Sequence, residues 1–309
     1  MSGETAIREL MEACAEAARR GGEVLRACWG TLRTIDYKGG IDLVTDADRA
    51  SEAELLAFIG QRFPGSAVLA EESGASGSSQ AELRWLVDPL DGTTNYAHGV
   101  PHFAVNVAVA DRDGLAAGAT LDPLRGELWL AGRGQGAWLG EARIRVSRTA
   151  ELRQALLCTG FPYDIHEDPE PVLRLFQAYL RRARAVRRFG AAALDLAYVA
   201  CGRFDGFWEV KLKPWDVAPG ILLVREAGGE VADFDGGGEM LHGGTICAAN
   251  PEIQPLLLAV LREARARLIA LVPGEGFLLR AADRPCLKWH TAADSPERRR
   301  RSATISEAV

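Results

Sequence analysis

Asp88 and Asp91 stand three residues apart at the end of an apolar run, Trp85-Leu86-Val87. Pro89 and Leu90 lie between them, and Gly92, Thr93 and Thr94 follow at once. The run is short, partly β-branched and partly aromatic, and it ends at a proline, which predicts a buried strand stopping at a rigid turn. Asp91, Thr93 or Thr94 then caps a following helix, and the amides of Gly92 and Thr93 face outward as an anion site. Two acids beside a phosphate-sized anion site would repel the ligand. Hard divalent cations between them turn the same group into a phosphate holder. Alone, the stretch also reads as an ordinary turn in which Asp and Gly serve the backbone.

Further acids sit where apolar segments end. Asp46 and Asp48 follow Leu43-Val44-Thr45, and Asp46 is expected as the N-cap of the next helix. Glu71 and Glu72 close the run from Ala67 to Ala70; strand alternation lets only one of the two join a given site. Asp216 follows Pro214-Trp215 at the start of a helix. Asp48, Glu71, Asp88, Asp91 and Asp216 cannot share a cleft without raising one another's pKa values. Two or three Mg²⁺ ions relieve that and make a metal-assisted hydrolase site.

The elements that must position these acids follow from the patterning. Apolar steps of three and four residues predict a helix from Thr5 to Leu32, with Gly21-Gly22 as a kink or a close helix contact. Strands are expected at Phe103–Ala110, Ala116–Thr120, Glu127–Ala131, Ala137–Leu139 and Arg143–Val146, separated by hairpin-length turns. Gly74 to Gln80 reads as a mobile loop. Beyond Arg148, strands alternate with helices at Pro171–Ala183, Ala192–Ala200, Asp216–Glu226 and Pro251–Val272, the texture of an α/β half. The expected division is an N-terminal α+β half over 1–150, a C-terminal α/β half over 151–272, and a solvated, disordered tail over 273–309 containing Arg298 to Arg301.

Composition narrows the function classes. A chain of 309 residues, 48% hydrophobic and 25% charged, can bury a large core. A net charge of −6 supplies no basic field for nucleic acid. No apolar run is long enough to span a bilayer and the N-terminus lacks a signal-peptide pattern, so a cytoplasmic location is expected. Six scattered cysteines contain no C-x-x-C pair and read as buried thiols.

Four motifs occur in order: D-L-V-T-D-A-D (Asp42 to Asp48), A-E-E-S (Ala70 to Ser73), W-L-V-D-P-L-D-G-T-T-N-Y (Trp85 to Tyr96) and K-P-W-D-V-A-P-G (Lys213 to Gly220). Together they resemble the inositol monophosphatase family over roughly the first 270 residues. The resemblance implies an αβαβα layered sandwich, with a six-stranded antiparallel sheet and a smaller α/β half. It implies that Glu71, Asp88 and the Leu90 carbonyl bind one Mg²⁺, and that Asp88, Asp91 and Asp216 bind a second. Asp48 (through water) and Glu71 would support a third. Thr93 with Glu71 would orient the attacking water, and the Gly92 and Thr93 amides would hold phosphate. Gly190, Ala191, Ala192 and Glu209 would face the substrate, with Lys38 near the entrance. Ala191, where Ser or Thr is common, and Phe161 depart from the pattern and bear on substrate choice.

The resemblance further implies a homodimer, inhibition by Li⁺, and hydrolysis of a small phosphate monoester, myo-inositol 1-phosphate or a similar polyol phosphate. Related enzymes act on fructose 1,6-bisphosphate, nucleotide 3′-phosphates or histidinol phosphate, and some bacterial relatives associate with the transcription machinery. Arg181, Arg182, Arg184, Arg187 and Arg188 are the basic stretch on which such a partner would be expected; a solvated surface is the plainer expectation.

Overall fold

The computed structural model describes residues 3–30, 35–37 and 43–271. Helix α1 (Gly3–Cys28) precedes two paired short strands, β1 (Ile35–Tyr37) and β2 (Leu43–Thr45). Then come α2 (Asp46–Arg62), β3 (Ala67–Ala70), β4 (Gly74–Ser76), β5 (Arg84–Asp91) and the single-turn α3 (Thr93–Ala97). A meander follows: β6 (Ala104–Asp111), β7 (Gly114–Asp122), β8 (Glu127–Gly132), β9 (Gly136–Leu139) and β10 (Ala142–Arg143). The rest alternates as β11 (Leu156–Thr159), α4 (Glu170–Leu180), β12 (Ala185–Arg187), α5 (Ala192–Ala200), β13 (Gly206–Val210), α6 (Pro214–Glu226), β14 (Glu230–Ala232), β15 (Thr245–Ala249) and α7 (Gln254–Leu271).

These elements stack in five layers. On one face of the larger sheet, Trp85 and Val87 of β5 and Val105, Val107 and Val109 of β6 pack with Leu10, Met11 and Leu25 of α1 and Leu55 and Ile59 of α2. Leu86 and Ala108, on the opposite face by strand alternation, meet Ala218 of α6. Helices α5 and α6 form the middle layer, and α6 touches both sheets. Beyond the smaller sheet, Leu175 and Tyr179 of α4 and Leu257 and Leu261 of α7 cover Trp208 and Val210 of β13. The layered α/β architecture is the one expected.

Sheet detail departs from expectation. The larger sheet has eight strands, not six, in the order β10-β9-β8-β7-β6-β5-β3-β4. It is not purely antiparallel, because β3 pairs β5 in parallel. The extra edge strand β4 lies within the segment read as a loop; backbone pairing to β3 needs no apolar pattern, so composition could not reveal it. The smaller sheet has five strands in the order β12-β11-β13-β15-β14 and mixes parallel and antiparallel pairs.

Gly21 and Gly22 resolve as close contacts. A Cβ at Gly21 would lie 2.9 Å from Ser51 Oγ, and one at Gly22 2.6 Å from a Leu121 methyl. The bare backbone lets α1 seat against α2 and the sheet. Lys38, Asp42 and the segment 273–309 lie outside the described residues.

Candidate active site

The central motif is built on a β-bulge. The expected turn at Pro89 is instead strand: β5 runs through Pro89 to Asp91. Its register against β6 shifts, with Asp88 opposite Asn106 and Asp91 opposite Ala104. Three steps on β5 match two on β6, so one residue is extra. Residues three apart in a regular strand point to opposite faces; the bulge returns Asp91 to the face of Asp88. Proline suits this place because a bulge needs no ladder donor there. The Pro89 carbonyl accepts from Ser51 Oγ at 3.0 Å, and the Leu90 amide donates to Asp88 Oδ1 at 3.0 Å.

Parallel pairing brings Glu71 to this edge. Ala70 is in register with Val87, and the Glu71 amide donates to the Val87 carbonyl. The turn after β3 is held by Glu52 of α2, whose carboxylate accepts from the Glu72 and Ser73 amides at 2.8 and 2.9 Å.

Asp48 is fully buried at the start of α2. The helix is capped by Thr45, not by Asp46 as expected, and Asp48 closes the capping box. Asp46 stays exposed. Asp48 Oδ2 accepts from the Thr45 amide at 2.8 Å, while Oδ1 lies 3.1 Å from Thr93 Oγ1. Thr93 Oγ1 also lies 2.9 Å from the Leu90 carbonyl. One hydroxyl proton cannot serve both acceptors. Burial lifts the Asp48 carboxyl to about 6 against the lowering effect of its Thr45 bonds, so a proton on Asp48 can complete the second contact.

The other wall comes from α5 and α6. Helix α3 has no side-chain cap; Asp91 instead caps α5, accepting from the Ala193 amide at 2.7 Å, with the Ala192 and Gly92 amides also holding it. Gly92, at φ 89°, sits against Gly190 and Ala191: a Cβ there would lie 3.3 Å from the Gly190 carbonyl and from Ala191 Cβ. Ala191 and Ala192 are buried. Asp216, in the first turn of α6, accepts from the Lys213 amide at 2.7 Å. Pro219 has no amide to give the Trp215 carbonyl, and Asn106 Nδ2 fills that vacancy at 2.7 Å while also reaching the Asp216 carbonyl at 3.0 Å. Asn106, opposite Asp88 on β6, thereby ties the Asp216 turn to the Asp88 edge.

The electrostatics record the crowding. Asp88 stands well above the usual carboxylate range through burial, then the charges of Glu71, Asp91 and Asp216. Asp91 is raised to about 7 by burial; the Ala193 amide opposes this and Glu71 adds to it. Glu209, on β13, is raised to about 8 by burial, then Asp91 and Asp216, with Arg188 opposing. Arg188 lies over the Phe161 ring at 5.6 Å. Glu71, Asp88, Asp91 and Asp216 therefore form one electrostatic group with Glu209 at its side, and Asp48 with Thr93 adjoins it through Leu90.

That donor set suits a hard divalent cation. Four carboxylates and a carbonyl with a spare lone pair are oxygen ligands of the kind Mg²⁺ takes. Burial and neighbouring charge hold Asp88 and Asp91 above the ordinary carboxylate range. Among the described residues no three of these side chains already close into a metal shell.

Several supporting residues escaped the sequence reading: Thr45, Ser51, Glu52, Asn95, Asn106 and Asp195. Asn95 Nδ2 joins the His102 and Phe189 carbonyls at 2.8 and 2.9 Å and so ties the loop after α3 to the Gly190 segment. Asn106 in FAVNVAVA and Asp195 in ALDLAYVA are single polar letters in apolar runs, a signal that could have found them. The basic stretch is not one patch: Arg182 pairs with Glu263, and Arg188 turns toward Phe161.

Comparison with known proteins shows the family and the fold. The profile of the inositol monophosphatase family matches residues 6–266. A relative from Escherichia coli, named Nus factor SuhB, is 40% identical over 259 residues, covering 83% of this chain and 97% of its own length. The crystal structure of extragenic suppressor protein suhB from Bartonella henselae superposes with a TM-score of 0.79 at 39% identity, over 82% of this chain and 99% of that one. Inositol monophosphatase from Anabaena (Nostoc) gives 0.76 at 40% identity, over 84% and 97%. By profile, sequence and fold, the chain belongs to the inositol monophosphatase family.

Proposed function

We propose that the protein is a Mg²⁺-dependent phosphomonoesterase acting on myo-inositol 1-phosphate or a similar polyol monophosphate. The observation that carries this is the convergence of Glu71, Asp88, Asp91 and Asp216 on one electrostatic group beside the Asp48–Thr93–Leu90 contact. Glu71, Asp88, the Leu90 carbonyl, Asp91 and Asp216 would hold two ions, with Asp48 and Glu71 supporting a third. When bound, Mg²⁺ supplies charge neutralisation of the phosphate and a water made acidic near neutral pH. Thr93 orients the attacking water, together with Glu71, and its hydroxyl can pass a proton toward Asp48. The Thr93 amide would face the phosphate oxygens, joined by the Gly92 amide once it leaves the Asp91 carboxylate it holds here. Glu209 and the Gly190–Ala192 segment meet the alcohol portion of the substrate. The proposal places most metal ligands on residues 1–150, with Asp216 and the substrate contacts on 151–272. It includes a cytoplasmic homodimer inhibited by Li⁺; among the described residues no helix is long and apolar enough to cross a membrane.

The test is phosphate release from inositol 1-phosphate, fructose 1,6-bisphosphate and a nucleotide 3′-phosphate, with and without Mg²⁺ and Li⁺. Mg²⁺-dependent, Li⁺-suppressed turnover that favours inositol 1-phosphate is the expected result. A large preference for a bisphosphate overturns the substrate and leaves the metal chemistry standing.

A second reading comes from the relatives named Nus factor: a binding role in transcription, alongside or instead of catalysis. Asp88→Asn separates the two, since it removes turnover and leaves a surface-borne partner in place. Failure to recover RNA polymerase or an elongation factor with the protein removes this reading.

A further inference from the structure

Helix α2 turns buried polar side chains toward the acid group. Asp48, Ser51 and Glu52 share one helix face, and Leu55 continues that face into the core. Asp48 and Ser51 are fully buried and Glu52 is 3% exposed. Asp48 meets Thr93 beside the Leu90 carbonyl. Ser51 and Glu52 belong to neither metal-ligand set, yet each holds a segment that does.

Glu52 acts on the turn that carries Glu71. That turn joins β3 to β4, whose pairing closes at Ala70 and Gly74. The Glu71 amide donates to the Val87 carbonyl of β5 at 3.1 Å. The next two amides leave the sheet for Glu52: Glu72 donates to Oε2 at 2.8 Å and Ser73 to Oε1 at 2.9 Å. A carboxylate offers two acceptor oxygens and no donor, so it suits two adjacent amides; a Gln would set its own NH₂ against one of them. Ser51 acts on the bulge. Its Oγ donates to the Pro89 carbonyl at 3.0 Å, between Asp88 and Leu90 in the chain. Helix α1 backs that hydroxyl, since a Cβ at Gly21 would lie 2.9 Å from it. The β3–β5 ladder does not do this work: its pairing ends at Ala70 and Val87, one residue short of Glu71 and Asp88.

We propose that Ser51 and Glu52 are positioning residues for the Mg²⁺ assigned to Glu71, Asp88 and the Leu90 carbonyl. From adjacent places on one helix they fix the Glu71 turn and the Asp88–Leu90 bulge relative to each other, and so set how tightly that ion is held. Metal ligands must be placed to within about 0.5 Å, and groups that orient ligands govern affinity without touching the ion. The inference rests on the metal-site reading above and on no particular substrate.

The test is a calorimetric titration of the full chain with Mg²⁺ alone. Glu52→Gln keeps the volume and loses one acceptor; the tightest Mg²⁺ site is expected to weaken about tenfold. Ser51→Ala leaves the Pro89 carbonyl without its donor and should weaken the same site about fivefold. Ile59→Val, a core change two turns along the same helix, is the control: Tm falls by about 2 °C and Mg²⁺ affinity stays within about twofold. With inositol 1-phosphate, the Mg²⁺ concentration giving half-maximal turnover should rise about tenfold in Glu52→Gln, with turnover at saturating Mg²⁺ within about threefold of wild type. Mg²⁺ affinity within about twofold of wild type in either clamp variant overturns the proposal, whatever happens to Tm, and so does an equal loss in Ile59→Val. If Glu52→Gln does not fold, Ser51→Ala decides by the same titration. Wild-type protein that takes up no Mg²⁺ removes the metal reading and this inference together, an outcome distinct from a Mg²⁺ site indifferent to Ser51 and Glu52.

Discussion

Asp48 and Asp195 are buried to the same degree, 0% and 1% exposed, and are treated in opposite ways. At the start of α2, Asp48 is bound by Thr45 on one oxygen and faces Thr93 with the other. At the start of α5, Asp195 has neither oxygen bound. Leaving a buried polar group unmade costs about 1–3 kcal/mol, so the α5 wall carries a penalty that the α2 wall avoids. The α2 and β5 wall is a finished hydrogen-bonded frame whose acids answer to backbone and hydroxyl donors. The α5 and β13 wall keeps Asp195 and Glu209 held by burial and mutual charge. One wall ties its buried acid to donors, and the other leaves Asp195 untied.

The comparison breaks most visibly at Asp88, where the finished wall meets the acid group. Asp88→Asn keeps the shape and removes the charge; phosphate release is expected to fall about 10³-fold. If the variant keeps more than a tenth of wild-type turnover, Asp88 is part of the frame and not of the chemistry. Next in size is the response to pH without metal. Asp91 at about 7 and Glu209 at about 8 lie above the ordinary carboxylate value of about 4. Between those limits the native state holds more protons than the unfolded chain, so their contribution is complete at about pH 4 and is lost as pH rises through about 8. Thermal melts in a chelator should show that decline superposed on the other titrations, and Mg²⁺ should flatten it. A metal-free Tm that climbs from pH 5 to 8 would contradict the raised acids.

Smaller effects separate the two walls. Asn106→Leu strands the Trp215 carbonyl that Pro219 leaves open and should cost about 1–3 kcal/mol of stability by chemical denaturation. The same variant should weaken Mg²⁺ binding, since the Asp216 turn loses its tie to β6. Thr45→Ala removes the α2 cap at a cost of about 1 kcal/mol; the pH profile of turnover should move as well, because Asp48 loses the Thr45 hydroxyl bond that helps lower its pKa.

Much of this frame was legible before folding. The helix expected at Ala192–Ala200 is α5 to the residue, and the strand under the central motif starts beside its expected place. The legible features are local: apolar periodicity, a proline, a glycine, a cluster of acids. The bulge at Pro89 was not, because its evidence is a register against β6 eighteen residues away. Strand β4 was hidden because pairing of backbone to backbone leaves no side-chain signature. The Thr45 cap was read one residue late, since Ser, Thr, Asp and Asn all satisfy an N-cap and only the bonds choose among Thr45, Asp46 and Asp48.

The sequence by itself determined the family, the layered α/β class and the identity of the acids, because each is carried by residue types at short spacing. Tertiary structure alone decided which acids meet, which are tied and which are left without partners. Asp88 and Asp91 share a face only because β6 imposes a bulge on β5, and Asp91 caps a helix whose first amides lie a hundred residues on. Hydrogen bonding and charge act through space over a few ångströms, and chain order does not record which distant segments will be brought that close.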